Sequence, residues 1–382
     1  MTTHKRPALP ALTSLRFFAA LAIVVHHCNG VFWPAADLGP LDAGVSFFFV
    51  LSGFILTYVY FDPTGAPCKP KDFYIARIAR IWPLHLATLL LTLLVVSIPE
   101  PFDVGVLLAN GLMLHAWIPF DRYFFSYNYV SWSISTELFF YLLFPYLLRC
   151  RVLLLRGLPA LLVMLSFTLI AVVALAFFSA TEHLPVWDVK GDPLSSTGLL
   201  YTFPLARLAE FLIGVVCGTV FVQRRSNAVS SLLATVFECL AVLGFVVAFY
   251  CVSVAPITLS ASSPAVAAQM MALLGEWLSH VGLAPSAAIA IYVFAYQRGL
   301  LSRCLSHRYW IFLGEISFAL YLVHQLTLRA LQQYAHRLDY HLELREFVLY
   351  AIGVALLAAV LHLGIERPAR AWLTRRLAVQ SG

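Results

Sequence analysis

Arg16 and the adjacent His26 and His27 bracket nine apolar residues in "RFFAALAIVVHHC", residues 16–28. Arg16 and His27 are eleven positions apart. On a helix that spacing puts them within about 20° of one face and about 16 Å apart along it. His26 points about 100° away from that face. The face therefore offers a cation at one end and a titratable base at the other. The ordinary alternative is an arginine snorkelling to a membrane surface with an interfacial histidine.

Three further stretches carry groups that can do chemistry. In "YIARIARIWPLH" (74–85), Arg77 and Arg80 are three apart and project from one side of a helix start. Two guanidiniums so placed suit a phosphate, because each presents paired donors; ordinary positive loop charge is the competing reading. In "YNYVSWSISTELFFYLLFP" (127–145), Glu137 lies inside an apolar helix. The reading below puts it at a depth comparable with His27, where it holds a histidine tautomer, receives a proton, or links helices together with Trp132 and Ser133. In "GEISFALYLVHQ" (314–325), Glu315 and His324 face different directions. Glu315 is expected on a cavity wall, and His324 is expected to be a hydrogen-bonded structural group. His362 and Glu366 read as anchors at the end of the last crossing.

The elements that must position these groups are membrane helices. Of 382 residues, 61% are hydrophobic and 12% charged, and the mean hydropathy is +0.84. Soluble domains carry about twice that charge fraction. The apolar runs are continuous rather than alternating, which points to spanning helices and away from a barrel. The net charge of +6 is dispersed between the runs and gives no nucleic-acid surface. The seven cysteines are scattered; no metal-ligand spacing occurs, and they read as inert. Lys5 and Arg6 precede the first run without a small-residue cleavage site, so an uncleaved first helix is expected.

Apolar runs occupy 12–28, 44–61, 80–98, 103–117, 131–149, 153–178, 198–222, 229–254, 264–297, 309–331 and 345–366. Lysine and arginine mark the cytoplasmic loops. All basic clusters fall on the side of Lys5 and Arg6 if 103–117 is re-entrant or interfacial and 264–297 crosses once. The expected fold is an all-α polytopic integral membrane protein of about ten transmembrane helices, with both termini cytoplasmic. The chain reads as a single membrane domain over 1–382, with a core of about 10–375 and no fused soluble domain. Trp33, Trp117, Tyr127 and Trp187 fall where aromatic belts form.

With those residues in view, the sequence resembles the membrane-integral acyltransferase family 3. Arg16 followed by ten residues and His27 is similar to its Arg/Lys–ten–His signature. "GVSFFFVLSGFILTY" (44–58), "RIAR" (77–80) and "WSISTELFFYLLFP" (132–145) resemble its second-helix, Arg-x-x-Arg and Trp-Ser-x-x-x-Glu motifs. "ISFALYLVHQ" and "IERPARAW" fit its closing segments. The resemblance implies acyl transfer from acyl-CoA, usually acetyl-CoA, entering from the cytoplasm, to a hydroxyl of a glycan or other acceptor. It implies no permanently bound cofactor and a bacterial inner-membrane location. Carried over, His27 is the catalytic histidine, with Arg16 its signature partner and Arg77 and Arg80 the donor-binding pair; Glu137 is the motif acid. Trp132 and Glu315 are expected at the substrate. The sequence departs from the family in two places: the histidine is doubled, so that His26 competes for the role, and Thr136 stands where many relatives have a second acid. The expected partners are acyl-CoA, a glycan or lipid-linked glycan, and membrane lipid. A transporter or flippase of a glycan precursor is the rival from another class, since intramembrane charges mark transport paths equally well; no inverted repeat supports it. An acyltransferase acting on a small secreted molecule is the rival within the class, and succinyl competes with acetyl as the group moved.

Overall fold

The computed structural model describes residues 6–64, 68–96, 103–150, 154–186, 192–224, 230–259 and 265–379. Among them no extended sheet forms, and the single isolated bridge joins Phe120 to Leu194. In hydrocarbon a helix satisfies its own backbone donors and acceptors, and these apolar runs take that solution. The chain is an all-α polytopic membrane protein.

The principal helices are α1 (Pro10–Cys28), α2 (Gly44–Tyr60), α3 (Pro70–Val95), α4 (Val104–Gly111), α5 (Asp121–Phe124), α6 (Trp132–Arg149), α7 (Leu158–Thr181) and α8 (Leu208–Arg224). They are followed by α9 (Ser231–Leu259), α10 (Ala265–Val281), α11 (Ala284–Phe294), α12 (Leu300–Leu305), α13 (Arg308–Arg337), α14 (Leu344–Leu361) and α15 (Arg367–Val379). Proline opens α1 and α3, where its missing N–H has no helical partner to lose.

Eight helical spans among the described residues are long and apolar enough to cross a bilayer. The expected count of ten adds α6 and α8, which are 18 and 17 residues long and carry polar groups inward. The segment 103–117 forms the eight-residue α4 and a 3-10 turn, His115–Trp117, not a span. Its buried polar groups bond to neighbours: His85 Nε2 lies 2.8 Å from the Asn110 carbonyl, and the Asn110 amide donates to Ser126 Oγ at 2.8 Å. The run 264–297 is one 29-residue span, Val266–Phe294, bent between α10 and α11 at Gly282–Leu283 just before Pro285.

The helices are arranged from the centre outward. In α2 and α13, 67% and 61% of the apolar window is buried, against 22% and 17% in α7 and α9. The outer helices turn residues such as Phe167 and Leu232 to the lipid. In the centre, helices approach closely where residues are small. A Cβ on Gly53 of α2 would collide with the Phe211 carbonyl oxygen of α8, and one on Gly214 would collide with that of Val50. Gly314 of α13 lies likewise against the Thr13 carbonyl of α1. Contacts from Thr13–Gly314 at one end to His27–His324 at the other make α1 and α13 a parallel pair.

A side chain at residue 53 must therefore push α2 off α8. Gly53→Leu is expected to destabilise the protein by at least the ~1–3 kcal/mol typical of overpacking, read as a lower unfolding midpoint in detergent. Gly244→Ala, where a Cβ meets nothing within 4 Å, is the control that should not lower it.

Candidate active site

Five central helices enclose a cavity of about 170 Å3. Arg16 reaches it from α1, Ser52 from α2, Arg77 and Arg80 from α3, Glu137 and Tyr141 from α6, and Tyr321 from α13. A wider vestibule of about 960 Å3, beside the N-terminal residues 6–9, shares Arg16, Leu51 and Ile55 with it. The cavity is thus a narrow throat behind a broad mouth.

The throat holds three guanidiniums and one carboxylate. Glu137 accepts from Tyr141 OH at 2.6 Å and from Ser52 Oγ at 3.0 Å. Those bonds place it on the arginine level, not beside His27; its expected role as the holder of the histidine tautomer is corrected accordingly. The reason lies in α6, whose first turn is already engaged at the level of Tyr321 through Ser133, 2.8 Å from Tyr321 OH. Glu137, one turn further, falls below that contact.

The two arginines of "RIAR" have separate environments. Arg80 forms an ion pair with Glu366, which also lies 2.9 Å from His362 Nδ1. The groups read as anchors at the end of the last crossing thus neutralise a throat arginine. Arg77 sits 5.8–6.0 Å from the ring centroids of Tyr60, Phe73 and Tyr141, and its buried Nε has no hydrogen-bond partner among the described residues. Among the described residues neither Arg77 nor Arg16 has a carboxylate at ion-pair distance.

The lining of the throat ends at Ser133 and Tyr321. His27 lies beyond that end, half-buried, with Nδ1 2.9 Å from the Ile23 carbonyl and 3.2 Å from His324 Nε2. His324, fully buried, is therefore the direct partner of the candidate base. His26 is exposed, with its ring edge-on to His27 at 5.2 Å, and does not reach His324 through a hydrogen bond among the described residues. Glu315 is exposed and off the throat wall, which Phe318 occupies one turn on.

Trp132 is also absent from the throat wall. It packs in a second polar knot, which the sequence reading did not single out. Arg207 is completely buried, 2.8 Å from Glu210 and 5.4–5.6 Å from the rings of Phe49, Trp132 and Tyr201. Ser46 Oγ lies 2.5 Å from Glu210 and 2.6 Å from the His280 carbonyl, and His280 Nδ1 lies 2.6 Å from Asp42. The available signal was an arginine and a glutamate three apart in the apolar run 198–222.

The family model described as an acyltransferase domain, that of the type 3 acyltransferases, matches residues 9–363. The chain belongs to the acyltransferase 3 family. The chain is similar to "Acyltransferase MdmB" of Streptomyces mycarofaciens, 29% identical over 96% of this chain and 93% of that protein. A second relative, named "Putative peptidoglycan O-acetyltransferase YrhL", of Bacillus subtilis, is 25% identical over 97% of this chain. The match spans 56% of that longer protein. No solved structure matches the chain. This family membership and the helical architecture together make the protein a membrane acyltransferase.

Arg207 within its ring cage has Glu210 as its counter-charge. Removing one partner of a fully buried pair leaves an uncompensated charge, at a cost of about 3–5 kcal/mol. Glu210→Gln should lower the unfolding midpoint sharply, whereas Glu182→Gln, at an exposed residue just past the end of α7, should leave it nearly unchanged.

Proposed function

We propose that this acyltransferase moves an acetyl or other short acyl group from acyl-CoA to a hydroxyl of a glycan or lipid-linked glycan, with His27 as general base. The observation that carries the reading is the alignment on α1: Arg16 opens onto a throat beside a second arginine without an ion pair, and His27 stands at the far end of the same helix. Unpaired guanidiniums at a pocket mouth suit the phosphates of a CoA donor. In this reading the vestibule takes the nucleotide end, and Arg16 and Arg77 meet the phosphates. Arg80, held by Glu366, adds positive potential to the same wall. The pantetheine arm follows the throat past Glu137 and Tyr321 towards His27.

At that point His27 Nε2 removes the proton of the acceptor hydroxyl while its oxygen attacks the thioester carbonyl. The new C–O ester bond forms and the C–S bond breaks; the proton held by His27 passes to the departing CoA sulfur. The acceptor reaches His27 from the membrane face opposite the vestibule, with the vestibule cytoplasmic and the protein in a bacterial inner membrane. The name of the Bacillus subtilis relative, which mentions peptidoglycan, supports a surface glycan as acceptor.

Acetyl-CoA binding to the purified protein tests the donor. Arg77→Ala is expected to weaken binding at least tenfold, about 1.4 kcal/mol or more, while His27→Ala leaves binding unchanged and abolishes transfer. A folded protein that binds no acetyl-CoA removes the acyltransfer mechanism described here; undiminished transfer by His27→Ala removes the base.

A further inference from the structure

We propose that His324 is the positioning residue for His27: its Nε2 lone pair accepts the Nδ1–H of His27 and thereby leaves His27 Nε2 as the base. This rests on the reading of His27 as the base and adds to it the group that orients that base.

The argument uses only which atoms are able to donate. His324 Nδ1 lies 2.7 Å from the carbonyl oxygen of Tyr321. A carbonyl only accepts, so Nδ1 of His324 carries the hydrogen, and in the neutral ring Nε2 carries the lone pair. That lone pair faces His27 Nδ1 at 3.2 Å. His27 Nδ1 is also 2.9 Å from a second pure acceptor, the Ile23 carbonyl of its own helix. Both neighbours of that nitrogen accept, so Nδ1 of His27 carries the hydrogen and shares it between them. Nε2 is the nitrogen left with a lone pair. When Nε2 takes up a proton, the positive charge spreads to an Nδ1–H that already points at an acceptor. The arrangement is the one by which an acidic residue orients the histidine of a catalytic triad, with a neutral imidazole in place of the carboxylate.

The surroundings fix His324 rather than leave it to swing. Its side chain is fully buried, Tyr350 OH donates to its backbone carbonyl at 2.6 Å, and Gly314 seats α13 directly on α1.

Two measurements test the assignment. In 15N-histidine NMR of the lipid-reconstituted protein, the signal that disappears in His27→Ala should report a ring protonated at Nδ1. In His324→Phe the Ile23 carbonyl still accepts that hydrogen, so the ring should keep Nδ1–H, with its Nδ1 signal shifted by the loss of the second acceptor. A His27 ring protonated at Nε2 in the unmodified protein overturns the proposal, whatever the protein's activity. For turnover, CoA release from acetyl-CoA is followed with N-acetylglucosamine oligosaccharide as hydroxyl probe. His324→Phe should lower kcat about 10- to 100-fold, the range for losing a group that orients a reacting one, with KM for acetyl-CoA unchanged. His324→Gln, whose Oε1 also accepts, should recover much of the loss. Equal losses in both variants with acetyl-CoA binding gone would make His324 a structural residue and overturn the proposal, as would an unshifted Nδ1 signal and unchanged kcat in His324→Phe. Undiminished turnover in His27→Ala, with the Nδ1–H tautomer observed, would instead remove the base while leaving the pairing.

Discussion

A guanidinium inside a bilayer has to be solvated by protein, because the hydrocarbon offers no other polar group. The centre of this molecule is organised around that requirement, met in three different ways. Arg207 is buried against Glu210 and three aromatic rings, with its Nη2 bonded to the carboxylate and its Nε and Nη1 facing no hydrogen-bond partner among the described residues. Arg80 is answered by Glu366 from the junction of α14 and α15, which ties the end of the bundle to α3. Arg77 is given aromatic faces but no carboxylate, and Arg16 opens on both vestibule and throat. The first two arginines each have a carboxylate of the chain at ion-pair distance. The last two leave charge directed at space, and space bounded by charge is what a charged ligand requires.

Such contacts are reachable only because the inner helices touch backbone to backbone. Gly53 against α8 and Gly314 against α1 remove the side-chain layer that would hold the axes apart. Ser52, next to Gly53, is thereby aimed at Glu137 on α6. At the other end of the α1–α13 contact the two imidazoles come within hydrogen-bond distance. Packing and site are one feature in this respect: the glycines have no chemistry, yet they set the distances at which it occurs.

Much of this was legible in the chain. Long uniform apolar runs dictate helices, charge between them dictates which runs turn back, and the eleven-residue interval dictates that Arg16 and His27 share a face. What was hidden are pairings across large sequence separations. Arg80 and Glu366 are 286 positions apart and His27 and His324 are 297 apart, and nothing local in either partner announces the other. Glu137 was misjudged in depth because helix α6 starts after a 3-10 turn, Tyr129–Ser131, that already lies inside the protein. Counting residues from an assumed membrane edge then sets every side chain too far towards that edge. Arg207 escaped notice because an arginine and a glutamate three apart read as an ordinary helical pair, and only their burial shows otherwise.

The throat stops at Ser133 and Tyr321, whose hydroxyls lie 2.8 Å apart, and the histidine pair begins on the other side. On the proposed route the acyl arm has to part that pair of hydroxyls to reach His27. A channel of water running from vestibule to imidazole would let hydrogen ions cross between two compartments held at different potentials, with each charge moved worth about 2.3 kcal/mol per 100 mV. On that route the arm itself fills the opening it makes between the two hydroxyls, so vestibule and imidazole would be joined by substrate and not by water.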